Sequence, residues 1–166
     1  MMGESLSISR SKYHIPTNVE EFYLPQTTHF EKHLAYCNKS IQEIKNKNKF
    51  NKKEVIACCE LIDVLFKYIS LDIEYLVDLL KNEAPNIAIV GTNFHQEVQS
   101  AIQQCEEMRD NALLSVQSYM DILVTLELDI PTLQKLQFLS LQSIAGVNSA
   151  LNQLQDLFRS VQSGRN

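Results

Sequence analysis

From Phe30 onward, apolar residues recur at alternating gaps of three and four along most of the chain. One stripe runs Phe30-Leu34-Cys37-Ile41-Ile44, and a second runs Val55-Cys59-Ile62-Phe66-Ile69-Ile73-Leu76-Leu80. A third follows Phe94-Val98-Ala101-Cys105-Met108-Ala112-Ser115-Tyr119-Ile122-Leu126, with Ser115 its one polar member. A fourth links Ile144-Val147-Leu151-Leu154-Phe158-Val161. Spacing that averages about 3.5 residues is the seam of helices lying side by side with a left-handed supercoil. The chain is therefore expected to be all-α: an antiparallel four-helix bundle with long helices and an irregular N-terminal arm.

Start and stop signals divide the stripes into helices. Thr28 with Glu31 has capping-box spacing, and Asn51 with Glu54 repeats it with an asparagine. Thr92 or Asn93 follows Gly91, and Asp129 precedes a first-turn Pro131. The breakers are Asn46-Lys47-Asn48, then Asn82 to Asn86, then Leu128-Asp129. Helices are predicted over 27–47, 52–82, 93–127 and 130–162, within one bundle domain spanning 26–163. The last three would each reach roughly 45–50 Å at about 1.5 Å per residue. Short loops between the first and second and between the third and fourth favour antiparallel neighbours. The 83–92 connection carries Ile87-Ala88-Ile89-Val90, expected to cap one end of the bundle; helix exchange across it is equally compatible with the pattern.

Residues 1–25 lack the periodicity, and Pro16 and Pro25 break any long helix. Tyr13, Ile15, Val19, Phe22, Tyr23 and Leu24 nevertheless give this flexible arm groups with which to dock across the bundle. The Met2-Gly3 start of a myristoylation pattern requires initiation at Met2 and weighs little.

The second helix has another stripe beside the first: Cys58, Leu61, Leu65, Tyr68, Tyr75 and Leu79, interrupted by Asp72. Such a wide apolar face suits an element touching two neighbours. The fourth helix is unusual in the opposite sense. Its only charges are Lys135, Asp156 and Arg159, and Gln, Ser, Asn and Leu fill the rest. Phe138, Leu139, Ala145 and Gly146 fall opposite its core stripe, where a solvated helix carries Lys and Glu. Two readings fit. Either the helix slips register near Gln137–Leu141 and turns Leu136, Leu139 and Leu141 inward, or another chain covers the face. In the second reading Phe138, Leu139, Gln142, Ala145, Gly146, Ser149 and Gln153 form the contact surface, the small residues admitting a close backbone approach.

Chemistry has less support. His29, His33 and Cys37 stand at i, i+4 and i+8, and Cys59, Cys105 or His95 could complete a metal or small-ligand site from facing helices. The paired Glu-x-x-His signature of di-metal bundles is absent. Five lysines between Lys45 and Lys53 surround Phe50 and could meet phosphate, but they coincide with a loop. There is no nucleophile elbow, phosphate-cradling glycine loop, Cys-x-x-Cys or His-Glu-x-x-His, and four glycines leave little for an active-site lip. No enzyme activity and no cofactor are expected. A formal net charge of −5 disfavours nucleic acid as a partner, and no window is apolar enough to span a membrane. Four cysteines within helical patterns, two of them adjacent and about 100° apart, favour a reduced, cytoplasmic setting. The Lys- and Asn-rich, tryptophan-free composition suggests an AT-rich bacterial genome. The expected function is a non-catalytic protein–protein interaction module, whether adaptor, effector or self-assembling structural protein. It acts through the under-charged face of the fourth helix on another protein or on itself, as a homo-oligomer of dimer size. The alternative is a metal- or small-ligand-binding bundle.

Overall fold

A computed structural model describes residues 24–83 and 93–163 of the chain. Four helices pack together: α1 (Thr27–Asn46), α2 (Lys52–Glu83), α3 (Asn93–Leu123) and α4 (Ile130–Gln162). No strand occurs among the described residues. The expected all-α four-helix bundle is what the chain forms.

The helix starts use the residues that the sequence offers at two of the three caps that can be compared. Asn51 accepts the Lys53 N–H at 2.9 Å. Asp129 accepts both the N–H and the hydroxyl of Thr132, at 3.1 and 2.7 Å. The α1 start differs from the expected Thr28–Glu31 box. Gln26 occupies the cap without a side-chain bond of its own, and its N–H is taken by Asp72 Oδ1 at 2.9 Å from α2. The helix is capped across the bundle, so Thr28 stands exposed in its first turn.

The α3 helix ends at Leu123, four residues before the expected 127. Thr125 donates from both its N–H and its hydroxyl to the Ile122 carbonyl, and the Leu126 N–H reaches back to Leu123. These three-residue returns tighten the chain into a turn. Leaving the helix there lets Leu126 and Leu128 fold back onto the core.

The stripes become the core. All eight residues of the first α2 stripe are buried, as is every member of the α3 stripe up to Ile122. The supposed interruption of the second α2 stripe is itself inside: Asp72 is 0% exposed.

Cross-helix contacts fix the directions. His33 Nε2 lies 2.9 Å from the Leu61 carbonyl, while Gln26 meets Asp72, so α1 and α2 run antiparallel. The Tyr119 hydroxyl donates to the Val55 carbonyl at 2.6 Å, setting the start of α2 against the end of α3. Gln155 with Glu106 and Asn148 with Arg109 make α3 and α4 antiparallel. The chain thus alternates direction at each connection, as the short loops predicted for the first pair and the last pair of helices. One consequence is that α2 and α4 lie side by side in the same sense, with Lys52 beside Asp129 and Asp63 beside Ser143. Because α2 packs on all three other helices, its apolar face must be wide. The α4 helix sits at one side of the α2–α3 pair and α1 at the other, so that among the described residues nothing covers the outer face of α4.

Candidate interaction surface on the last helix

The inward side of α4 is continuous. Leu136, Ser140, Val147, Leu151, Leu154, Phe158 and Val161 are buried, with Leu133 and Ile144 packed beside them. Ser140 holds an otherwise apolar seat, and its hydroxyl donates to the Leu136 carbonyl at 2.9 Å. That local bond satisfies the buried oxygen without a change of phase. The register slip weighed from the sequence is therefore not what the helix does. Leu136 is inside (3% exposed) as part of the regular stripe, while Leu139 (38%) and Leu141 (56%) remain outside.

The flanks of α4 explain part of its low charge. Ser143 donates to Asp63 of α2 at 2.9 Å, Gln155 donates to Glu106 of α3 at 2.7 Å, and Asn148 accepts from Arg109. Neutral side chains here pin the helix to charged neighbours on both sides.

The seven candidate residues lie away from those bonds. Phe138, Leu139, Gln142, Ala145, Gly146, Ser149 and Gln153 are all exposed, and Phe138 leaves 63% of its surface in solvent. The structure brings them together on one outward stripe. A Cβ built at Gly146 would meet nothing within 4 Å. Packing among the described residues does not require that glycine, although glycine inside a helix costs about 1 kcal/mol relative to alanine. Leu141 joins the patch, which sequence reasoning could place only once the phase through Ser140 was known. On the α2 side, the patch opens into a groove of about 630 Å³ lined by Ile56, Cys59, Val64, Leu136 and Leu139.

The proposed metal ligands do not assemble. His33 is engaged by the Leu61 carbonyl, and His29 stacks on Tyr68 with centroids 6.0 Å apart. His95 packs its ring against Phe94 and Phe158 near the start of α3. Cys37, Cys59 and Cys105 are buried free thiols. Burial pushes Cys37 and Cys58 up to about 12 and raises Cys59 and Cys105 as well, so these sulfurs stay protonated. Among the described residues, no group of three or more His, Cys, Asp or Glu side chains is placed to hold a metal ion.

The lysine run is partly spent on structure. Lys47 pairs with Glu54 at 2.6 Å, Lys52 pairs with Asp129 at 3.0 Å, and Phe50 packs against the core. The myristoylation pattern, the 87–90 apolar run and all of the N-terminal arm before Leu24 lie outside the described residues. Leu24 itself is buried in the core.

Fold and surface together define an α-helical bundle whose last helix keeps one long, neutral face that no described residue covers. Compared with protein families, characterised proteins and solved structures, the chain matches none. No described helix is long and apolar enough to cross a membrane.

Proposed function

We propose that this protein is a non-catalytic interaction module whose working surface is the outward stripe of α4. The observation that carries the reading is a run of twenty uncharged residues between Lys135 and Asp156, whose outer side exposes Phe138, Leu139 and Leu141. Exposed apolar groups beside small residues, rimmed by charge, mark a surface that another chain covers. The charged rim is present on both flanks, as Asp63 and Lys67 of α2 and as Glu106 and Arg109 of α3. The chemistry is burial and close packing, with no turnover. Four buried cysteines, none in a disulfide among the described residues, support a reducing, cytoplasmic place of work.

Thiol labelling tests the reading directly, because the native thiols are buried. A Ser149→Cys variant should react with a maleimide when pure and dilute. It should be protected in an extract of the source cells, while a Glu107→Cys control on exposed α3 surface labels equally in both. Equal labelling of Ser149→Cys in both settings, together with no self-association of the concentrated pure protein, would refute a covered α4 face.

A further inference from the structure

We infer that the occupant of the α4 face is a second copy of this chain, packed antiparallel with its α4 crossing at Ala145 and Gly146. The inference rests on the reading above and adds the identity and orientation of the partner. Its support is a self-complementary arrangement of charge and size along the stripe. Lys135 lies ten residues before Ala145, and Asp156 lies ten residues after Gly146. At 1.5 Å per residue, each stands about 15 Å from the centre, on opposite sides. A two-fold axis between Ala145 and Gly146 therefore brings Lys135 to the level of Asp156 of the second copy, and does so twice. The same axis sets Phe138 at the level of Gln153, Leu139 at that of Asn152, Leu141 at that of Ala150, and Gln142 at that of Ser149. Bulky residues of the first half meet smaller or polar residues of the second, and the two smallest positions meet at the crossing. This is the isologous relation that a two-fold dimer demands.

A parallel pairing fails on the same residues. It would oppose Lys135 to Lys135 and Asp156 to Asp156, and would crowd Phe138 against itself. Like charges directly opposed penalise that register. Lys135 is exposed and makes no bond to the described residues, so it is available to a partner. Asp156 is engaged within its helix by Arg159, both largely exposed. An incoming lysine would share that carboxylate. One helix face is a small contact, at the low end of specific interfaces, so the dimer should be weak and dissociate on dilution.

Charge reversal with sedimentation equilibrium tests the proposal on the full chain. Wild type should be dimeric at about 100 µM and dissociate on dilution. Lys135→Asp alone and Asp156→Lys alone should each weaken the dimer about tenfold or more, with helicity by circular dichroism unchanged. The double variant, which restores opposite charges across the axis, should recover most of the affinity. A monomeric wild type at that concentration, or a double variant no better than either single one, overturns the antiparallel dimer. If the wild type is monomeric while Ser149→Cys is protected in cell extract, a different protein covers the face and only this inference fails. If neither self-association nor protection is seen, the interaction reading falls with it.

Discussion

Replacing Asp72 with Asn should remove the part of the stability loss between pH 4 and 7 that this carboxyl causes and should raise stability at pH 8. Asp72 is wholly enclosed, and burial pushes its carboxyl from 3.8 to about 7, partly opposed by the Gln26 N–H that it accepts. Its Oδ2 has no hydrogen-bond partner among the described residues. A carboxyl whose folded pKa is raised keeps a proton that the unfolded chain has already released. Stability from this group is therefore complete below about 4, falls as pH rises, and levels off above about 7. At 1.36 kcal/mol per pH unit, that window corresponds to a loss of roughly 4 kcal/mol as a ceiling. Asparagine keeps a carbonyl for the Gln26 N–H and cannot ionise, but its amide N–H groups go unsatisfied at a cost of about 1–3 kcal/mol. The net gain at pH 8 is then about 1–3 kcal/mol, with a small loss near pH 4.5. Asp129 does not confuse the result, since its Thr132 and Lys52 partners hold it down at about 2, below the window. Urea unfolding followed by circular dichroism at pH 4.5, 6 and 8 measures both slopes. Identical slopes for wild type and D72N, or a D72N protein weaker at pH 8, would show that the carboxylate is not held as a buried neutral acid.

The phase of α4 can be checked with two leucines five residues apart. Leu136→Ala should cost about 2–5 kcal/mol, as for a buried leucine, whereas Leu141→Ala should stay within about 0.5 kcal/mol by denaturant titration of the dilute protein. Equal costs would mean that the helix has turned. The four native thiols should resist a thiol reagent at pH 8 in the folded protein and all react in denaturant; rapid labelling of any one in native buffer would contradict its burial.

The architecture was readable because its signal is redundant. Every stripe contributes several residues, so one polar member such as Ser115 or Ser140 does not break the period. What was not readable depends on partners distant in sequence. Asp72 in an apolar stripe looks like a gap, because its value comes from a backbone N–H 46 residues earlier. Thr28 and Glu31 look like a cap, since nothing local announces that α2 will supply the acceptor instead. The α3 end was overestimated because Leu126 continues the apolar period although the backbone has left the helix there. For the α4 surface, the sequence supplied the absence of charge but not the side on which it falls. Leu139 and Leu141 fitted an inward slip until Ser140 was found holding the seat between them.

Ser140 and Gly146 separate what the α4 helix owes to its own packing from what the proposed interaction would explain. Both break the local rule for a helix, one as a polar group in the core and the other as a flexible residue mid-helix. Ser140 is explained within the chain by its bond to Leu136 and its contact with Cys59 across α2. Gly146 has no such explanation, since space for a side chain is open and alanine would be favoured by about 1 kcal/mol. Phe138 and Leu141, exposed about two turns and one turn earlier, share the predicament of being poor choices for water. Natural sequences reconcile local preference with the fold except where function imposes its own demand. Under the proposed reading, three unreconciled positions on one stripe, bracketed symmetrically by opposite charges, would answer to one such demand.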